Sequence, residues 1–578
     1  MNAVTPNVVR FGAFELDLQA HLLRKNGLKI GLPEQSILIL SMLVTRPGEV
    51  VEREEIRKRL WPNDTFVAFD HSINAAINRL RGALGDEARM PRHIETLPKR
   101  GYRFLVQVEC VRRTGPIDSV AILPFENVGG DPEKEYLSQG ITEAIINNLS
   151  QLPRLRVVPR NSAFRYKGRD VDPAIIRHEL GVSAMVTGRL TQHGEKLVVC
   201  VELVDLASES QLWGERFNRS VSDIFAVQEE LATRISEELR PKLTAEDRGL
   251  LARRQTQSRE AYEFYLKGRY YWSRRTPDSL KRATEYYEQA VREDPLYALA
   301  YAGLSEAYIL LGWWGLSTSC EAIERATAAA LKSVELDPQL AEGHTSLAYV
   351  RCCARDWAGA EDTFRRALKL NPGYWLAHCW YGQCLAAMGR AEEAITSVRR
   401  AREIDPLALI VHHFGAWAHF HARRFDEVVE LCRKALDMEP NYGVCLLWLG
   451  VACTEKGTHK EALTALRRAM EMLQGPVSVA MLGHACARAG LREEAESCFE
   501  RLDRQGQVFC VDPYHIATIE VGLKKCDEAF EYLETAFAER SLFLTFWAKA
   551  DPRLDPLRTD PRFNDLLHKL NLYGPRER

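Results

Sequence analysis

No stretch of this 578-residue chain approaches the roughly 18 consecutive apolar residues that a membrane span needs. Its densest apolar runs, Ile37 to Val44 and Val444 to Cys453, have the length of core helices. The first residues, Met1 to Phe11, lack the charged and apolar regions of a signal peptide, so the cytoplasm is the expected compartment, without membrane contact. Charge of one sign is missing too. A formal net charge of −2 gives no whole-chain attraction to nucleic acid or an anionic membrane, so any DNA affinity must be local. The 14 cysteines form no C-x-x-C pair and have no companion histidine at zinc-finger spacing, which makes them expected buried thiols. Also absent are G-x-x-x-x-G-K-[ST], G-x-S-x-G and H-E-x-x-H, since His178-Glu179 lacks its second histidine. No catalytic residue, cofactor or metal is therefore assigned, and the chain is not expected to be an enzyme.

What is present is ordinary globular composition, 46% hydrophobic and 27% charged, in a length that one core does not serve. Three regions follow one another. Residues 1–110 begin with strand-like runs, Val8 to Leu18 and Leu22 to Ile30, continue through helical patterns at Glu34 to Val44, Arg53 to Leu60 and Asp70 to Leu84, and end in a strand-turn-strand over Ile94 to Phe104. Residues 117–240 alternate strands and helices as a mixed α/β domain, after a short polar linker around Arg112 to Pro116. Residues 258–545 are helical and repetitive, and 546–578 are read as a C-terminal cap.

The repeat has a measurable period. Asp337-Pro338, Asn371-Pro372, Asp405-Pro406 and Glu439-Pro440 are spaced by 34 residues. Small residues at Ala348, Gly382, Ala416 and Gly450 are followed twelve later by Ala360, Ala394, Val428 and Ala462, then by Phe364, Val398, Cys432 and Leu466. Helix pairs touching at fixed points need this recurrence. The spacing resembles the tetratricopeptide repeat family, with about eight copies starting near 264, 298, 341, 375, 409, 443, 476 and 510. In such arrays the first helices line a concave groove that holds a peptide or partner helix. By register that groove contains Tyr349, Cys353, Cys379, Gln383, His413, Trp417, Phe420 and His421, a set suited to a protein partner. His344, His378 and His412 recur once per repeat, at a position that packs between helices rather than forming a metal ladder.

Within Asp70 to Leu84, Ile73, Ile77, Leu80 and Leu84 make one apolar stripe, while the opposite face carries Ser72, Asn74, Asn78, Arg79 and Arg81 with no acid between His71 and Leu84. The segment 91–103 adds Arg92, Lys99, Arg100 and Arg103 against Glu95, a formal charge of +3. A polar helix face beside a positive hairpin is the footprint of a groove-reading helix with a backbone-gripping wing. The motifs Asp70-His71-Ser72-Ile73-Asn74, Asn78 to Asp86, Ile94-Glu95-Thr96-Leu97 and Gly101-Tyr102-Arg103-Phe104 resemble the OmpR/PhoB-type winged-helix output domain over residues 8–108.

That resemblance implies that Asp70 to Leu84 enters the major groove of promoter DNA. Ser72, Asn74, Asn78, Arg79, Arg81, Lys99, Arg100, Tyr102 and Arg103 are then the DNA-binding set. It also implies that Trp61 to Phe69 can touch RNA polymerase, and that binding as a dimer on tandem half-sites is possible. Neither control by a phosphorylatable receiver domain before the winged helix nor a CadC/ToxR-type membrane helix after it is expected. The segments Val120 to Phe125, Gly140 to Glu143, Arg160-Asn161-Ser162, Tyr166-Lys167-Gly168, Glu179 to Val182 and Leu212-Trp213 resemble the TolB-like domain, whose role here is open between pocket, protein interface and spacer.

The expected architecture is multidomain: an α+β winged helix, a mixed α/β TolB-like domain and an all-α tetratricopeptide superhelix. The expected function is a sequence-specific DNA-binding transcription regulator whose later domains sense a cytoplasmic signal or protein partner. The competing reading is a repeat scaffold for protein assembly with a vestigial winged helix.

Overall fold

The computed structural model describes residues 8–18, 22–25, 28–60, 69–111, 117–129, 135–150, 152, 155–169, 172–193, 196–220, 224–239 and 256–572. The chain divides into two compact units, 1–129 with 152–157 and 168–248, and 130–151 with 158–167 and 249–578.

In the first unit each opening strand-like run resolves into two short antiparallel strands, β1 (Val8–Phe11) with β2 (Phe14–Asp17) and β3 (Leu22–Lys25) with β4 (Leu28–Ile30). Gly12, at φ +58°, turns the first pair. Then come α1 (Glu34–Val44), β5 (Val50–Glu52), α2 (Arg53–Leu60), α3 (Phe69–Leu84) and the hairpin β6 (Ile94–Leu97) and β7 (Gly101–Phe104). A further strand the sequence did not announce, β8 (Glu109–Val111), closes the first sheet against β1.

Ile73, Ile77, Leu80 and Leu84 of α3 are all buried, joining Ile39, Leu40, Val51, Ile56 and Phe104 in one core. The wing is anchored by close backbone approach: a Cβ on Gly101 would lie 2.0 Å from the carbonyl oxygen of Val51, so β7 can meet β5 here only as glycine. Buried Asp86 fixes the crossover from α3 to the wing by accepting from the backbone N–H groups of Arg92 (2.6 Å) and Ile94 (2.8 Å). Burial alone would push its carboxyl up, but these donors outweigh it and hold the group below the usual aspartate range.

The rest of this unit is a sheet in the order β11-β9-β12-β13-β14, with β10 beside β12. Its strands are β9 (Ser119–Ile122), β10 (Glu126–Asn127), β11 (Arg156–Val157), β12 (Ala184–His193), β13 (Lys196–Asp205) and β14 (Ser210–Ser220). β11, β9 and β12 run parallel, and β12 to β14 form an antiparallel meander. Arg24 on β3 pairs with Glu238 at 2.7 Å, both largely shielded from water, and so links the first sheet to the helix Ile224–Leu239.

The second unit contains eight helix pairs, from Arg259–Trp272 with Pro277–Glu293 to Pro513–Gly522 with Cys526–Ala538. Their register explains the period in the sequence. A Cβ on Gly382 would come within 2.5 Å of Val398, and one on Gly450 within 2.4 Å of Leu466, so the small residue of each first helix is where the second helix crosses it. Arg355, Gly389, Arg423 and Gly457, again 34 apart, take φ between +60° and +80° in the turn between helices. His344 and His378 recur because each ring bonds the carbonyl oxygen of a repeat proline, Pro338 at 2.9 Å and Pro372 at 3.0 Å. Among the cysteines whose side chains are described, nine are buried and all are free thiols.

Two helices from within residues 117–240 belong to this unit, Glu135–Ser150 and Arg160–Ala163. Gly140 lies so near Leu266 that a Cβ would sit 2.5 Å from it. Buried Glu143 bridges Arg160 (2.9 Å) and Arg269 (2.6 Å). Asp405, fully buried, accepts from the backbone N–H of Ser162 (3.0 Å) and the amide of Asn161 (2.9 Å). Burial pushes the Asp405 carboxyl up to about 6 in spite of these donors.

A carboxyl whose pKa is raised on folding contributes most below its unfolded pKa, and that contribution is lost as pH rises through its folded pKa. The stability advantage of the wild-type chain over Asp405→Asn is therefore expected to shrink between about pH 4 and pH 7, read from the unfolding of the repeat unit at each pH. A gap that stays constant would show that Asp405 titrates in the folded chain as it does in the unfolded one.

Candidate functional site

The solvent face of α3 carries the groups that can meet DNA. Asn74, Asn78 and Arg79 are exposed and Ser72 is partly so. Lys99 and Arg100 are exposed at the turn of the wing, where Lys99 takes a left-handed backbone, φ 61°. Arg103, half-buried, faces Glu95 across the hairpin at 3.6 Å, so the free charge of the wing is concentrated at its tip.

Arg81 and Tyr102 do not belong with these groups. Arg81 is only 7% exposed, and its guanidinium donates to the carbonyl oxygen of Ile94 (2.9 Å) and to Thr96 Oγ1 (2.8 Å), fastening α3 to the wing. The helical spacing of the sequence put it on the polar face, but β6 covers that side of the last turn. Tyr102 is 1% exposed, and its hydroxyl donates to Asn74 Oδ1 at 2.7 Å. Both are corrected from contacts with DNA to supports for the surface that makes them.

Arg53, which the sequence reading passed over, completes that support. From the first turn of α2 it donates to the Tyr102 hydroxyl (2.8 Å) and to Asn74 Oδ1 (2.9 Å), with its guanidinium over the Tyr102 ring. Two donors thus hold the Asn74 carbonyl oxygen, leaving the amide N–H groups as the part of this side chain available to a base acceptor. The expected polymerase-contacting segment, Trp61 to Phe69, lies outside the described residues apart from Phe69.

A family model described as "Transcriptional regulatory protein, C terminal" matches residues 27–104. The chain carries an OmpR/PhoB-type winged-helix domain. A model described as "HilA/YgeH-like transcriptional regulator, second domain" matches residues 117–234, the segment expected to be TolB-like, and a tetratricopeptide repeat model matches residues 353–408. The transcriptional regulator HilA of Salmonella typhimurium is 23% identical over 425 residues, 73% of this chain and 75% of that protein. The transcriptional activator CadC of Escherichia coli is 30% identical over 102 residues, 18% of this chain and 20% of its own length. A putative adenylate cyclase of Rhizobium meliloti is 33% identical over 232 residues, 40% of this chain and only 39% of the cyclase. These matches support DNA-binding transcription regulation by the winged-helix chain.

The expected partner groove lies on the inside of the superhelix, and the chain itself occupies it. After the eighth helix pair the backbone turns at Ser541 into a short helix, Leu542–Trp547, whose six residues are all buried. Phe546 stacks on Tyr349 with ring centroids 5.0 Å apart. Trp547 meets Trp417 edge-on at 4.7 Å, stacks on Trp448 at 5.5 Å and packs against His421 at 5.3 Å. Tyr349, Gln383, Trp417, Phe420 and His421 are therefore buried, at 5% exposure or less, rather than open to a peptide; so are Cys353 and Cys379. Of the expected set only His413 is partly exposed, and its Nδ1 accepts from the Trp448 indole at 2.8 Å.

The filling helix straddles the expected boundary at 545/546 between the repeats and the C-terminal cap. A buried Asp551–Arg553 ion pair at 2.7 Å, joined by the Tyr514 hydroxyl at 2.6 Å, follows the filling helix. The chain then reaches the third repeat, where Trp357 Nε1 donates to the Leu570 carbonyl oxygen at 3.0 Å.

Replacing Arg81 by alanine should destabilise the winged helix by about 1–3 kcal/mol, since it strands the carbonyl of Ile94. Replacing exposed Arg79 should change stability by no more than about 0.5 kcal/mol. Hydrogen exchange at the amides of β6 in the full chain checks this, with faster exchange expected in Arg81→Ala alone.

Proposed function

We propose that this chain is a cytoplasmic, sequence-specific transcription regulator that acts through its N-terminal winged helix and has no enzymatic activity of its own. The observation that carries the reading is the exposure of Asn74, Asn78 and Arg79 on α3 together with that of Lys99 and Arg100 on the wing fastened to it. In this reading α3 lies in the major groove. Arg79 and Asn78 offer the bidentate donor and donor-acceptor geometries that distinguish guanine and adenine, and Asn74 presents amide donors set by Tyr102 and Arg53. Lys99 and Arg100 neutralise backbone phosphates next to the groove and add no sequence information.

Polymerase contact through residues 61–69 and dimeric binding to tandem half-sites complete the proposal on the output side. On the input side the superhelix receives the signal, with protein partners meeting its outer surface because the Leu542–Trp547 helix occupies part of its inner face. The same filling weighs against the scaffold reading, in which an open concave groove would do the capturing. No helix is long and apolar enough to cross a membrane among the described residues, which is compatible with a regulator working on DNA without an anchor.

Binding of the full chain to DNA from the region upstream of its own gene, against scrambled DNA, tests the reading across a salt series. Arg79→Ala should cost about 1–3 kcal/mol on the specific fragment and relax discrimination. Lys99→Ala or Arg100→Ala should weaken binding to both fragments and lower the salt slope by about 1 each. Equal weak binding to every fragment, untouched by Arg79→Ala, would transfer the function to the scaffold alternative.

A further inference from the structure

The Leu542–Trp547 helix fills only part of the channel. Beside it remains a cavity of about 670 Å³, within the range that small-molecule sites occupy. Its walls are unusually rich in indoles, among them Trp313, Trp380, Trp417, Trp448 and Trp547, with aliphatic side chains such as Leu447 between them. No aspartate or glutamate lines it. Four arginines do, and they are not equivalent. Arg160 is neutralised by Glu143. Arg165 donates to the sulfur of Met438, and Arg274 to the hydroxyl of Tyr270.

Arg275 stands apart. It is held by a left-handed backbone, φ 54°, with its guanidinium 4.0 Å from the centre of the Trp272 ring, and no hydrogen bond or ion pair reaches it from the described residues. Burial lowers its pKa to about 10, so it is still a cation at neutral pH. The Glu306 carboxyl acts on it without forming an ion pair, being engaged by Arg269 at 3.7 Å and by the Tyr374 hydroxyl at 3.0 Å. A shielded cation without a direct ion pair is costly unless something else supplies one. A guanidinium without a direct ion pair, on indole-rich walls that carry no acidic side chain, calls for a ligand that brings one negative charge on an apolar body.

We propose that this cavity binds a small amphipathic organic acid, with its carboxylate at Arg275 and its apolar body against the indoles of the channel. A free inorganic anion would leave the aromatic walls in contact with water, and a neutral apolar molecule would leave Arg275 without an ion pair. The inference goes beyond the DNA-binding reading and does not rest on it, because occupancy is read without DNA.

Naphthaleneacetate and decanoate, titrated separately into the full-length chain by calorimetry with tryptophan fluorescence alongside, are the probes, and neutral naphthaleneacetamide and inorganic phosphate are the controls. At least one acid should bind, one per chain, at least roughly tenfold more tightly than the amide, as expected for a charge-assisted contact. Arg275→Gln should remove that preference while leaving affinity for the amide unchanged. Val444→Trp, which fills the cavity from a partly exposed wall, should abolish binding with the unfolding temperature of the chain retained. Preference for the planar acid or the aliphatic one would define the apolar body, and either supports the site. Phosphate binding alone, equal affinity for acid and amide, acid binding unchanged in both variants, or no binding of either acid would each overturn the proposal.

Discussion

Trp547 sits where the repeats would otherwise present their inner face, stacked on Trp448, edge-on to Trp417 and against His421, and the geometry of the second unit follows from that contact. Tetratricopeptide arrays are ordinarily quasi-one-dimensional, each repeat touching only its neighbours. Here Trp547, Phe546 and the Leu570 carbonyl join the segment after the eighth pair to the third, fifth and sixth. A superhelix that could flex like a spring is tied across its middle. The same contact removes a large aromatic surface from water, which explains how first helices as apolar as Gly443–Glu455 can belong to a chain of ordinary overall composition.

The first unit follows a different logic, in which polar groups do the positioning. Asn74, Tyr102 and Arg53 come from α3, β7 and α2 and meet at one point, while Arg81 and Asp86 hold the last turn of α3 to the start of the wing. The exposed groups that would touch DNA are few and stand on a base of hydrogen-bonded ones. This division into supporting and reading side chains is the arrangement that a site needs when small displacements matter.

Much of this was legible in the residues. The apolar stripe Ile73-Ile77-Leu80-Leu84 and the +3 hairpin are local patterns, and α3 and the wing lie where those patterns put them. The 34-residue period located the helix pairs because Gly382 and Gly450 are contacts within one repeat. What stayed hidden is what depends on distant chain. A helical wheel places Arg81 on the polar face, since it cannot know that Ile94 and Thr96 return to cover it. Tyr349 and Trp417 read as open-groove residues because the six residues that cover them lie outside the repeat and carry no periodic signature. The cavity beside Arg275 was unreadable for the same reason, being the remainder of an imperfect filling.

The position of the Leu542–Trp547 helix near the end of the described chain also bears on how the molecule is made. During synthesis the first seven repeats emerge, and can form their helix pairs, before the element that covers their inner face exists. Until residues 541–572 have left the ribosome, the indoles of Trp313, Trp417 and Trp448 line an uncovered apolar channel, the kind of surface that binds chaperones or other nascent chains. Covering of the channel is thereby postponed until that element has been made, and a chain cut short before residue 541 leaves a sticky aromatic surface in place of a closed repeat array.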